Sequence, residues 1–148
     1  EMVITVGDNG ATGKGSSTGF FDDFGNIYQS NNSSSWATTC DRRIKKNIVD
    51  NNVGLDVIKQ LQVRNFEYKT EDEIISDGSE LVPFAKSAVV KKTGTQIGLI
   101  AQELEAVCPG CVKTETTGVK SVVTDELFWH MVNAIKELSA KVEALEAS

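Results

Sequence analysis

The last stretch of the chain constrains the fold most, because Phe128, Met131, Ile135, Leu138, Val142 and Leu145 recur in steps of three and four. On a helix of about 3.6 residues per turn those positions fall on one line, so the spacing fits a heptad seam of the coiled-coil type. Thr124 offers an N-cap, and Asp125 and Glu126 an acidic first turn, both suited to the positive end of a helix dipole. The spacing predicts a long helix over residues 125–146. Alone in water that helix would leave its seam wet, so it must pack on the rest of the chain or on copies of itself. The seam mixes β-branched and unbranched residues, and its spacing does not separate a dimer from a trimer.

The rest of the chain divides in two by composition. Residues 1–39 carry Gly7, Gly10, Gly13, Gly15, Gly19 and Gly25 among Asp, Asn, Ser and Thr. Short apolar islands at Val3-Ile4-Thr5-Val6 and Asn26-Ile27-Tyr28-Gln29 could each make a strand. So little apolar material cannot close a core within one chain. Phe20, Phe21 and Phe24 still need somewhere to go, which favours a β-rich fibre stem that shares its core with neighbouring copies. Asn31 to Ser35 then reads as a polar linker before Trp36. The opening Glu1-Met2-Val3-Ile4 has no secretory character and reads as a point inside a longer polypeptide.

From Cys40 onward the pattern is that of one modest α+β domain, residues 40–148. Leu55, Ile58 and Leu61 recur at helical spacing, predicting a helix near 53–61. Val63 to Tyr68 alternates as a strand would, and residues 70–80 are polar and acidic, like a surface excursion or hairpin tip. Ala88-Val89-Val90 reads as a further strand, and Ile97 to Ile100 as a buried apolar run. A helix follows near 99–107 until Pro109-Gly110 stops it. The expectation is helices around one small antiparallel sheet, closed by the long coiled-coil helix. The excursion near residues 70–95 should project outward and grip the preceding stem.

A net charge of −6 argues against a general binder of nucleic acid or anionic membrane. The basic run Arg42, Arg43, Lys45, Lys46 lacks the interleaved aromatics of a nucleic-acid patch. No apolar run reaches the length of a membrane span. The residues therefore imply neither a nucleic-acid nor a membrane partner. Three cysteines, Cys40, Cys108 and Cys111, are too few and too odd for a disulfide-stapled fold, and fit folding in a reducing compartment.

Cys108-Pro109-Gly110-Cys111 lacks the strand-before, helix-after context of a thioredoxin motif. As a zinc site it would need two more ligands, for which Cys40 and His130, the only histidine, are the obvious soft candidates. The preferred reading is a Pro-Gly turn, with no metal and no cofactor, and with His130 at a helix surface or interface. Gly10 to Gly15 misses the Walker spacing at both ends and carries no nucleotide site.

Cys40-Asp41-Arg42-Arg43-Ile44-Lys45-Lys46-Asn47-Ile48 carries a resemblance. It is similar to the start of the endosialidase-type intramolecular chaperones, where a nucleophilic Ser is followed by Asp, Arg, Lys and Ile. Asp41, Arg43, Lys45 and Ile48 stand at the matching positions. The likeness continues through Gly98-Leu99-Ile100-Ala101-Gln102-Glu103-Leu104 with Pro109 following, and into the helix from Asp125-Glu126-Leu127 through Ala134 to Leu138. It implies a homotrimeric domain at the end of a phage tail fibre or tailspike. That domain folds in the host cytoplasm, brings three stem chains into register, and then cuts itself away. It further implies Thr39–Cys40 as the scissile bond, Cys40 as nucleophile and Lys45 as base, with self and the preceding stem as partners.

Elementary chemistry supports that reading: a thiol directly after a peptide bond can attack the preceding carbonyl, giving a thioester that water opens. A Lys can serve as base if desolvation or a nearby cation such as Arg43 favours its neutral form. Position 40 departs from the family pattern in being Cys rather than Ser. A thiol is the better nucleophile, yet sulfur in a site shaped for oxygen can be misplaced enough to slow the reaction. Two other contexts compete: a structural fibre tip that never cuts, and a membrane-tethered transcription factor, against which the Gly-rich stem argues.

Overall fold

The computed structural model describes residues 38–148, apart from Thr116 and the side chain of Ser87. The expected stem strands, polar linker and Trp36 lie outside the described residues. A 3-10 turn (Arg42–Ile44) leads to helix α1 (Leu55–Gln60) and strand β1 (Arg64–Phe66). Helices α2 (Glu71–Ser76) and α3 (Ala85–Ala88) follow, then strand β2 (Gln96–Gly98) and helix α4 (Ala101–Val107). After a second 3-10 turn (Val82–Phe84) ahead of α3, a third (Pro109–Cys111) opens the hairpin β3 (Val112–Thr114) and β4 (Lys120–Val122), and helix α5 (Thr124–Glu146) closes the chain.

The architecture is α+β, but the strands form two separate two-stranded antiparallel sheets rather than one. β1 pairs with β2, Asn65 opposite Ile97, and β3 pairs with β4, Lys113 opposite Ser121. The core gathers where α4, the turn at Pro109, the β3–β4 hairpin and the start of α5 meet. Leu104, Cys108, Cys111 and Leu127 are buried there, with Val57, Ile58, Leu61, Leu99, Val112 and Val122 packed around them.

Helix α1 docks on α5 through an unusually close approach at Gly54. A Cβ there would lie 2.5 Å from the Ala134 main-chain nitrogen and 2.6 Å from Asn133 Cβ, so only glycine fits. The segment before α1 is stitched to α5. Asn133 Nδ2 donates to the carbonyls of Asn51 (2.9 Å) and Val53 (3.1 Å), and His130 Nδ1 lies 2.8 Å from the same Val53 oxygen. Gly54 has no side chain with which to cap α1. Glu137 Oε1 accepts from Leu55 N at 3.1 Å instead, so α5 satisfies one of the orphan donors of α1.

The structure corrects the expected elements at several points. The excursion at 70–80 contains a true helix, α2, with a reciprocal capping box: Glu73 N donates to Thr70 Oγ1 and Thr70 N donates to Glu73 Oε2. Ala88-Val89-Val90 is not a strand; Ala88 ends α3 and Val89 is its C-cap. Ile97 is not buried but 75% exposed, because a two-stranded sheet leaves one face open. Thr124 is not an N-cap but the first residue of α5; Val123 stands before it, its N–H given to Cys111 O at 2.8 Å.

The largest correction concerns the cysteines. Cys108 and Cys111 are joined by a disulfide, their Cα atoms 5.3 Å apart, because the Pro-Gly turn brings them to bonding distance. Cys111 is wholly buried, at 0% exposure. Cys40 is free and exposed.

Candidate functional site

The segment after Thr39 is shaped by its own side chains rather than by a core. Asp41 sits in extended conformation ahead of the 3-10 turn and accepts from Arg43 N at 2.8 Å. The Arg43 guanidinium folds back on the same carboxylate, with Nε at 3.0 and 3.1 Å from its two oxygens and Nη2 at 2.6 Å from Oδ2. The turn closes with Ile44 N on Asp41 O at 3.3 Å and Lys45 N on Arg42 O at 3.1 Å. The Asp-x-Arg spacing thus makes a clamp that tightens one turn of chain.

That turn returns the chain upon itself over five residues. Lys45, at the C-cap, is extended, and its Nζ lies 2.9 Å from Cys40 Sγ. The structure therefore brings together the two residues that sequence reading singled out for chemistry. An amine and a thiol at that distance can exchange a proton directly, which is the geometric requirement for a base and its nucleophile. Two residues on, Asn47 has φ 53, a left-handed conformation that Asn tolerates and that sends the chain off toward α1.

Arg43, the cation that the sequence suggests beside Lys45, is itself ion-paired with Asp41. Its charge is committed to Asp41, chiefly through side-chain hydrogen bonds and next through its main-chain N–H, and the carboxyl is held below the ordinary aspartate value. The same contact raises Arg43 above its usual value. In the single chain Thr38, Thr39, Cys40 and Lys45 are all exposed.

The seam residues also stand open. Phe128, Met131, Ile135, Leu138, Val142 and Leu145 form an exposed stripe along α5, with Ile135 at 67% and Leu145 at 74%. The opposite face, with Leu127 and Ala134 buried, holds the core and α1. Between the Cys40–Lys45 pair and α1, Ile44, Ile48, Val49 and Val53 are exposed as well, Val49 at 85%. Two apolar surfaces thus lack a cover among the described residues: the stripe of α5 and the strap leading from Cys40.

Sequence reasoning missed Glu126 as a partner of the cysteine pair. Donor atoms of Cys108, Cys111, Glu126 and His130 all lie within 4.8 Å of one another, while Cys40 is not among them. The i, i+4 spacing of Glu126 and His130 on one helix face was legible; their meeting with the Cys-Pro-Gly-Cys turn depends on tertiary packing.

Among the described residues no helix is long and apolar enough to cross a membrane. A family model named as a peptidase and described as chaperone of endosialidase matches residues 40–113, beginning at Cys40 itself. Comparison with curated proteins finds no match.

Proposed function

Because the chain belongs to the family of endosialidase chaperones, we propose that it trimerises the phage fibre segment ahead of it and then releases itself by cutting Thr39–Cys40. The observation that carries the reading is the 2.9 Å approach of Lys45 Nζ to Cys40 Sγ, on the first residues of the family match. In this mechanism neutral Lys45 takes the thiol proton, and the thiolate attacks the Thr39 carbonyl carbon. The carbon–nitrogen bond breaks as Lys45 returns the proton to the leaving Cys40 amine, leaving Thr39 acylated on sulfur. Water then opens the thioester, giving a Thr39 carboxylate and a new N-terminus at Cys40 with its thiol restored.

Assembly supplies what the single chain lacks. Packing three α5 stripes and three straps together would remove both apolar surfaces from water, each buried large side chain contributing about 1.5–3 kcal/mol. The same packing would desolvate Lys45 and favour its neutral form, so that cutting follows trimerisation rather than preceding it. The helices α2 and α3 extend from the β1–β2 pair and are the part of the domain proposed to hold the stem. The mature location would be the virion tail, reached after folding in the host cytoplasm.

The test is a denaturing gel of the full chain, with N-terminal sequencing of any released piece. Cys40→Ser is expected to cut at the same bond at least as fast, while Cys40→Ala and Lys45→Ala leave the chain whole. Lys46→Ala should cut as the parent does. A fragment starting elsewhere than Cys40, or efficient cutting by Lys45→Ala, would overturn the mechanism. An assembled trimer that never cuts would point to a structural fibre tip.

A further inference from the structure

Helix α4 ends at Val107 because Pro109 cannot continue it, and the chain turns through Pro109-Gly110 onto the first turns of α5. Gly110 meets Glu126 there so closely that a Cβ would lie 2.2 Å from Glu126 Oε2. The missing side chain lets a carboxylate settle over the Cys-Pro-Gly-Cys loop. His130 lies one helical turn beyond Glu126, on the same face. The outcome is four donors of three kinds, two sulfurs, one carboxylate oxygen and one imidazole nitrogen, mutually within 4.8 Å.

One ring nitrogen of the histidine is already engaged by the main chain. Its Nδ1 is 2.8 Å from the Val53 carbonyl oxygen, which can only accept, so the ring donates there and Nε2 is the nitrogen left for a metal. A carbonyl partner on one ring nitrogen is the usual outer support of a histidine that binds metal through the other. Both cysteines are buried, Cys108 at 5% and Cys111 at 0% exposure. Buried thiolates need a compensating charge, and a divalent cation would supply it. A mixed set of two thiolates, imidazole and carboxylate favours tetrahedral zinc over the harder cations.

We propose that the reduced chain binds one zinc ion through Cys108, Cys111, Glu126 and His130, an alternative to the Cys108–Cys111 disulfide. In the first step a dithiol delivers two electrons and two protons to the disulfide, giving two thiols while the dithiol itself closes to a disulfide. In the second, Zn2+ binds both sulfurs and displaces their two protons. With Zn–S near 2.3 Å the sulfurs would stand about 3.8 Å apart in a tetrahedron. The disulfide ties the loop only to itself. The zinc ion ties it to α5 at two points, next to Phe128 and Met131 of the exposed stripe, and so holds the root of that stripe on the core.

The experiment uses the full chain, reduced with dithiothreitol and desalted without oxygen, titrated with zinc against a chromophoric chelator. One zinc per chain is expected by elemental analysis, and cobalt in its place should show thiolate charge-transfer and tetrahedral absorption. The disulfide form should bind none. Because a cysteine variant could fail to fold, the deciding variants are Glu126→Gln and His130→Gln, at the rim of the cluster. Each is expected to weaken zinc by at least about tenfold, with circular dichroism unchanged, and Cys40→Ala should keep one zinc per chain. No zinc on the reduced chain, unchanged affinity in both rim variants, or loss of zinc in Cys40→Ala would overturn the assignment.

Discussion

Two regions of this molecule are built on opposite terms. From Leu99 to Glu137 the chain closes on itself: Leu104, Cys111 and Leu127 are buried, and α5 holds α1 through Asn133, His130 and Glu137. From Cys40 to Asp50 nothing is buried, and the conformation rests on the clamp of Asp41 with Arg43, the contact of Lys45 with Cys40, and one left-handed residue, Asn47. The first region is stable for reasons contained in the chain. The second has a defined shape but no interior of its own. The difference teaches where assembly should act: it has little to add to the core, and much to add around Cys40 and Lys45, the proposed reacting pair.

The contrast is broken most severely at Leu104, which is 2% exposed. Leu104→Ala should cost about 2–5 kcal/mol through lost burial and the cavity left behind, read as a lower urea midpoint at unchanged slope. Next comes Gly54→Ala, whose methyl would meet the main chain of α5 at 2.5 Å. A loss of about 1–3 kcal/mol is expected, whereas Gly78→Ala, with φ 61 and open space around it, tests backbone strain alone.

Ile135→Asp with Leu138→Asp sharpens the comparison from the other side. Both positions are exposed in the single chain, so its own stability should move by no more than about 0.5 kcal/mol. Light scattering should nevertheless show the proposed trimer gone, and a Cys40→Ser chain carrying both changes should stay uncut. A trimer that survives would place the interface elsewhere than the stripe.

The smallest effect is titration of the clamp. Asp41 is held below the ordinary aspartate value of about 3.9. Its contribution is therefore complete above that value and is lost as the pH falls through the lower, folded one. The NMR titration of the Asp41 carboxyl should have its midpoint below that of an unfolded aspartate, and Arg43→Ala should bring it back up. At neutral pH the clamp is fully formed, so a pH dependence of cutting near neutrality would have another source.

What the sequence made legible follows the range of the interactions. α1, β1, α4 and α5 were readable because periodicity and stop signals are local, and the Cys40–Lys45 approach lies within one turn of chain. α2 was readable too, had Thr70-x-x-Glu73 been taken as a capping box before Ile74 and Ile75 rather than as part of a polar stretch. The β3–β4 hairpin gave little warning, since its strands are three residues each and close around Gly118 with φ 84. The exposure of Ile97 and the convergence of Glu126 and His130 on the cysteine turn belong to tertiary packing. Single-chain pattern cannot supply them.

The stitching of Asn51 to Asn133 has a mechanical consequence. Asn51 lies only eleven positions after Cys40, so Cys40 is on a leash of at most roughly 40 Å, at about 3.3–3.6 Å per residue. In the proposed reaction Cys40 would stay tethered to its own long helix, and the new terminus would not drift away with the departing stem. A dye attached at residue 46, outside the proposed reacting pair, would therefore travel with the helix, and its separation from a dye on the stem would time the release.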